Sequence, residues 1–304
     1  MSSEFVPWKS TATLRGHKGS VQNVRFNKDG SYCLSCGQDK TLRLWNPHKG
    51  LFIKEYKGPH NHEVNDAVVT PDNAKFASVG GDKFGFMWDV ATGNVIRRLT
   101  GHEGKINCCE FNSSHELLIT GSWDRTVRCW DLKSNTRAPL QILKEAKDSV
   151  TALCVTDDEI LTGSVDGRVR RYDVRMGRLT TDDLKHPIGS VTLSNDENCV
   201  LVTCLDDTIR LLEKGTGELL NSYRGHTNHK YRVRAVLDPS DAHIFCGSED
   251  HRLCVWDLLN PKLLHHEKAH GGAIFTVRFH AEKEAMLTTS ADGLIKVWRQ
   301  EAPE

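Results

Sequence analysis

Seven aspartates at nearly even spacing constrain this chain more than any other feature. Asp39, Asp82, Asp124, Asp166, Asp206, Asp250 and Asp292 each sit at a tight turn between two apolar runs, separated by 43, 42, 42, 40, 44 and 42 residues. A period of about 40 to 45 residues is that of a four-stranded propeller blade. One such unit cannot bury its own apolar faces, so the units must stack around an axis. The spacing predicts an all-β, seven-bladed β-propeller, one domain over residues 1–304 with short tails at about 1–8 and 299–304.

Fixed companions accompany each aspartate. Four residues before it stand Ser35, Ser78, Thr120, Thr162, Val202, Cys246 and Thr288. Six residues after it stand Trp45, Trp88, Trp130, Tyr172, Leu212, Trp256 and Trp298. Twenty-two before it stand His17, His60, His102 and His270, while His226 precedes Asp250 by 24, an offset read as a longer loop. The Gly-His pairs at 16–17, 101–102 and 225–226 and the Trp-Asp pairs at 88–89, 130–131 and 256–257 resemble those of the WD-repeat family over nearly the whole chain. That resemblance implies a buried structural chain of hydrogen bonds in which Asp accepts from His, His meets the hydroxyl, and the hydroxyl meets the indole N–H. Units four and five lack the Gly-His, and unit five also carries Val202 and Leu212, so Asp206 is expected to turn to backbone donors.

Only six residues follow Trp298, too few for an outer strand in the seventh unit. The run Thr11–Arg15, ahead of Gly16-His17, is expected to supply that strand and close the ring, removing two raw edges. Asp166-Gly167 and Asp292-Gly293 read as two-residue hairpin connections.

Forty basic and forty acidic residues cancel, giving no global attraction to nucleic acid or to an anionic membrane. Ten cysteines, mostly inside apolar runs, point to a reducing, intracellular compartment. His266-Glu267-Lys268-Ala269-His270 spells a zinc-protease pattern, but His270 falls in the repeat register and Gly271-Gly272 would interrupt the required helix. Cys33-Leu34-Ser35-Cys36 lacks a second ligand pair and alternates across a strand, and in His60-Asn61-His62 the first histidine fits the repeat register. No catalytic residue, metal or cofactor is expected, and a zinc hydrolase is the remote alternative.

The rim bearing the turn aspartates is the expected partner surface. Trp123 is a hot-spot type of residue unless it leans on its own loop. Lys40, Lys83, Arg125 and Arg168, with Lys18 and Lys105, make one arc basic, suited to an acidic or phosphorylated segment or simply solvated. Residues 163–177, with Cys36-Gly37 and Trp45-Asn46-Pro47, resemble the mitogen-activated protein kinase organisers, small seven-bladed WD-repeat scaffolds. This resemblance implies a non-enzymatic, monomeric adaptor for kinase-cascade components and spliceosomal proteins, in cytoplasm and nucleus. The rival is a substrate receptor of a cullin-RING ubiquitin ligase, since Tyr172-Asp173-Val174-Arg175 is similar to the Trp-Asp-x-Arg adaptor motif; alternatively Arg175 only closes a strand turn.

Overall fold

Each apolar run forms a strand, and the middle strands are buried on both faces: Cys33–Gly37, Leu117–Ser122 and Ala285–Ser290 expose almost nothing. A strand buried on both sides must be sandwiched between sheets. The cores lie accordingly between blades, as where Leu34, Cys36, Leu42 and Tyr56 of the first meet Val64, Phe76 and Trp88 of the second. In the computed structural model, which describes residues 6–134, 136–280 and 285–300, the strands form seven four-stranded antiparallel sheets. The outermost parts of the expected tails, residues 1–5 and 301–304, lie outside the described residues.

Six blades are made of consecutive strands, and the seventh is not. Its inner three strands are Ile274–His280, Ala285–Ser290 and Leu294–Gln300, and its outer strand is Trp8–Arg15, paired antiparallel with Leu294–Gln300 from Trp8↔Gln300 to Arg15↔Leu294. The ring is therefore closed by the N-terminal strand. Leu14 is buried beside Val297 and Val21, and Trp8 packs edge-on to Phe245 and Phe279. The closing strand thus begins at Trp8, and the last one runs on to Gln300.

The connections between second and third strands differ from the two-residue hairpins read from the sequence. Ser122 N donates to Thr126 O and Arg125 N to Ser122 O, leaving a three-residue loop, Trp123-Asp124-Arg125. The residue after the turn aspartate has positive φ in every blade: Lys40 65°, Lys83 70°, Arg125 68°, Gly167 79°, Asp207 60°, His251 76° and Gly293 80°. A turn followed by one left-handed residue is the usual three-residue hairpin, because that residue restores the strand twist.

Candidate functional site

In the first blade His17 Nδ1 lies 3.0 Å from Asp39 Oδ2, His17 Nε2 lies 2.7 Å from Ser35 Oγ, and the Trp45 indole N–H donates to Ser35 Oγ at 2.8 Å. Equivalent chains join His60, Asp82, Ser78 and Trp88; His102, Asp124, Thr120 and Trp130; and His270, Asp292, Thr288 and Trp298. An ionised carboxylate can only accept, so Nδ1 carries the imidazole proton and Nε2 accepts from the hydroxyl. Burial pushes His102 and His270 below the usual imidazole value, which keeps them neutral and preserves this polarity. Burial, the largest single influence, opposes ionisation of Asp39 and Asp124, but the histidine, backbone N–H and threonine hydroxyl donors around each carboxylate together outweigh it and hold both far below the carboxylate range.

The fourth and fifth blades replace histidine with arginine. Arg170 Nη2 and Nη1 lie 2.6 and 3.2 Å from the two oxygens of Asp166, and Arg210 forks onto Asp206 at 2.6 and 3.1 Å. Asp206 is thus held chiefly by a guanidinium, which corrects the expectation of backbone donors alone. The sixth blade departs further. Among the described residues buried His226 has no hydrogen-bond partner on either ring nitrogen, and the Trp256 indole N–H donates to Arg224 O. The 24-residue offset is a longer loop, as read from the sequence: His226 stands nine residues before Ala235, the partner of Cys246, where the other four histidines stand seven before the equivalent residue, and its ring still lies 5.6 Å from Trp256; with Cys246 in the hydroxyl position, the chain of bonds is not made among the described residues.

The supposed zinc pattern is split. His266 lies on the strand Leu263–Lys268 beside Arg252, with Nε2 2.9 Å from Nη1, whereas His270 faces Asp292 and Thr288. Cys33 and Cys36 enter two different apolar clusters. Burial raises the Cys108 thiol to about 12 and Cys129 to about 11, so neither is a thiolate at neutral pH. His62 lies beside Glu63 on the surface.

The residues just before the turn aspartates open onto the axis. Gln38, Trp123, Val165, Leu205 and Ala291 line a cavity of about 900 Å³ at the mouth of the central channel, with Lys105, Lys230, Tyr231 and Phe275. Trp123 is 60% exposed, and Lys105 Nζ stands 5.8 Å from its ring, a cation–π distance. Of the seven expected partner residues, the structure brings these two together. Lys40, Lys83 and Arg125 form an exposed row at the left-handed ends of three consecutive turns. Arg168 pairs with Asp183 at 3.5 Å, and Lys18 is exposed while its backbone N–H donates to Asp39. Arg175 is at the opposite end of its blade, in the turn before the outer strand; its side chain is 75% exposed and its Nε is 2.6 Å from Asp158.

Deeper in the channel lies a charge cluster that the sequence reading missed. Asp66, with its side chain fully buried, accepts from Arg25 Nη2 at 3.3 Å, Arg234 Nη2 at 3.2 Å, Cys109 N at 3.2 Å and Ala67 N at 2.9 Å, and also from the Asn23 amide. Arg25 Nη1 also reaches both oxygens of Glu110, at 2.9 and 2.7 Å. These residues come from the first, second, third and sixth blades, so the cluster ties the inner strands across the axis. Its side chains keep the repeat register, Asn23, Asp66 and Arg234 standing 16 and Arg25 and Glu110 standing 14 residues before their turn aspartates, but the residue type changes from blade to blade, and only the appearance of charges within apolar inner runs could have signalled it.

The family model for the WD domain, G-beta repeat, matches residues 8–46, 93–131, 217–257 and 261–299. Each match starts on the outer strand of one blade and ends on the third strand of the next, so the sequence repeat is one strand out of phase with the blade. The human WD repeat domain-containing protein 83 is 45% identical over 299 residues, covering 98% of this chain and 94% of the relative. The Dictyostelium discoideum homologue of that protein is 36% identical, covering 94% of this chain and 97% of its own. The Xenopus tropicalis protein of the same name is 44% identical over 97% of this chain and 93% of its own. With the periodic turns, the hydrogen-bonded blades and these matches together, the chain belongs to the WD-repeat family.

Proposed function

We propose that this protein is a non-enzymatic scaffold whose channel mouth and basic rim capture protein partners: components of the extracellular-signal-regulated kinase cascade and proteins of pre-mRNA splicing complexes. It acts in cytoplasm and nucleus as one subunit of larger assemblies. The observation that carries the scaffold reading is Trp123, a large aromatic exposed at the cavity mouth with Lys105 against its ring and Arg125 at the end of the same turn. Exposed aromatics and arginines of this kind are enriched among binding hot spots. The kinase and splicing assignments rest on the resemblance of residues 163–177 to the mitogen-activated protein kinase organisers. A rigid ring suits the role, since its closed sheets display fixed loops without paying for ordering on contact.

The test is affinity purification of tagged protein from cell lysate followed by mass spectrometry, comparing wild type with Trp123→Ala/Arg125→Ala. Kinase-cascade and spliceosomal proteins should co-purify with wild type and be depleted at least about tenfold, roughly 1.4 kcal/mol, by the double substitution. Undiminished capture by a variant with an unchanged melting curve would dismiss this rim, and a partner set lacking both classes would dismiss the assignments.

A further inference from the structure

At the end of the ring away from the turn aspartates, the carbonyl at the end of a third strand or just past it lies in the cleft shared with the preceding blade. In three clefts the preceding blade's outer strand caps it: the Tyr56 hydroxyl donates to Val90 O at 2.9 Å, the Tyr223 hydroxyl to Leu258 O at 2.6 Å and Arg97 Nη1 to Asp131 O at 2.6 Å. The two tyrosines share one repeat position, opposite Leu42 and Ile209, which stand three residues after their turn aspartates. Val90 and Leu258 likewise share one, eight residues after theirs.

The cleft between the third and fourth blades lacks this filling. Its outer strand has three residues, Gln141–Leu143, where the other blades have five to eight, and Leu143, opposite Val127, stands in the tyrosine's place. Ile160 stands where Phe76 stacks on Trp88 in the second blade. Leucine has no hydroxyl, and Val174 O, eight residues after Asp166, accepts no hydrogen bond among the described residues. What remains is a cavity of about 390 Å³ lined by Leu143, Val155 and Ile160, with Leu140, Val174 and Leu179 exposed around it. Three carboxylates, Glu145, Asp157 and Asp173, line it against one cation, Arg178. None of the three is ion-paired among the described residues: Glu145 accepts from the Tyr172 hydroxyl, and Asp173 from the backbone N–H groups of Arg175 and Met176.

We propose that this cleft docks an extended segment of a partner protein that carries a tyrosine with lysine or arginine beside it. The ring enters the cavity against Leu143, Val155 and Ile160, and its hydroxyl donates to Val174 O as Tyr56 and Tyr223 donate to the equivalent carbonyls within the chain. Tyrosine suits a site with an apolar wall and one bare acceptor, since it joins a large apolar body to a polar tip. The neighbouring cation is drawn to the excess of carboxylates, which fixes the direction of the segment and rejects acidic ones. The cleft lies at the opposite end of the blades from Trp123 and Arg125, so it stands whether or not the rim captures partners.

The test is titration of the whole protein, methyl-labelled for nuclear magnetic resonance, with the blocked tripeptide acetyl-Arg-Tyr-Arg-amide, a method that reads weak binding. Wild type should show saturable shifts at the methyls of Leu143, Val155, Ile160, Val174 and Leu179. The peptide with phenylalanine in place of tyrosine should bind at least about threefold more weakly for want of the hydroxyl, and the one with glutamates in place of arginines at least about fivefold more weakly. Leu143→Tyr, which restores the repeat's own side chain, should abolish binding while melting no lower than wild type, and Trp123→Ala/Arg125→Ala should bind as wild type does. Absence of saturable shifts at these methyls would overturn the proposal, as would equal binding of the three peptides or full binding by a folded Leu143→Tyr. Should Leu143→Tyr fail to fold, Asp157→Asn decides: a narrower gap between the arginine and glutamate peptides supports the site, and an unchanged gap overturns it. Self-association of wild type in sedimentation, lost in Leu143→Tyr, would give the cleft to a second copy of this chain and overturn the assignment to a partner.

Discussion

Arg170 grips Asp166 with both terminal nitrogens, 2.6 and 3.2 Å from the carboxylate oxygens, in the blade that has no histidine at the network position. Only 2% of Arg170 is exposed, so this is a buried ion pair and not a surface ornament. Its geometry explains how a blade stays ordered when the imidazole is missing: the fork reaches from the following strand back to the turn that the histidine holds in other blades.

Removing one partner of a buried pair leaves the other uncompensated. Arg170→Met should therefore cost about 3 kcal/mol or more in urea unfolding, whereas Arg170→Met combined with Asp166→Asn should recover a substantial part of that loss. Burial works against the Asp166 carboxylate but Arg170 holds its pKa down, so the pair's contribution is present above about pH 4 and disappears as pH falls through the lowered value. A double loss at neutral pH equal to the sum of the Arg170→Met and Asp166→Asn losses would show that the pair is not coupled.

The left-handed turn residues supply a second prediction. Lys40, Lys83 and Arg125 adopt a conformation that costs an L-residue roughly 1 to 2 kcal/mol, whereas Gly167 and Gly293 meet the same requirement freely. Lys40→Gly or Lys83→Gly should raise stability by up to about 1 kcal/mol after the added freedom of the unfolded chain is counted. Gly293→Ala should lower it, since a Cβ there would also stand 3.0 Å from Gly19 O. Chemical denaturation of the three variants checks the signs.

His226 predicts how the fold responds to mild acid. Burial lowers its pKa from 6.5 to about 4. The unfolded chain then takes up a proton that the folded one refuses, so the stabilisation is complete above pH 6.5 and is lost as pH falls towards 4, by about 3 kcal/mol. Since neither ring nitrogen has a partner, His226→Leu should leave stability at pH 7.5 unchanged or higher and flatten the decline between pH 6.5 and 4. A variant as acid-sensitive as the parent would place the titration elsewhere.

Deleting residues 1–15 removes the strand that pairs with Leu294–Gln300 and the buried contacts of Trp8 and Leu14. Large-to-small losses at buried sites run to about 2 to 5 kcal/mol each, so the melting temperature should fall by about 10 °C or more. An unchanged melting curve would contradict closure by this strand.

What the chain disclosed in advance follows from where each signal lies. The blade count was legible because the turn aspartates recur within one unit's length, and the strand at Thr11–Arg15 because a repeat that starts out of phase must be completed from its other end. The four hydrogen-bonded blades stand out because His, hydroxyl, Asp and Trp are chemically distinct and keep fixed offsets. Arg170 and Arg210 were hidden because Arg43 and Arg128 occupy the same register in blades that do have histidine, so the residue alone does not announce its role. His226 was placed correctly by counting, behind a loop two residues longer, but its bonds could not be counted on because Cys246 offers its ring no strong acceptor or donor. Two residues per hairpin was the wrong reading because Asp-Gly at 166–167 and 292–293 is the tail of a three-residue loop whose first residue, Val165 or Ala291, carries no turn signal. Arg234 and Asp66, 168 residues apart, share one repeat position, 16 before their turn aspartates, but the residue type at that position changes from blade to blade, so no recurring residue announced the pair.

The offset between sequence repeat and blade also shapes how the molecule comes into being. Trp8–Arg15 is synthesised before the strands of six other blades, and its hydrogen-bonding partner, Leu294–Gln300, only after them. While those blades accumulate behind it the nascent chain must keep that strand unmated, so the ring locks only once Leu294–Gln300 has been made, and the waiting edge is what a chaperone would have reason to shield.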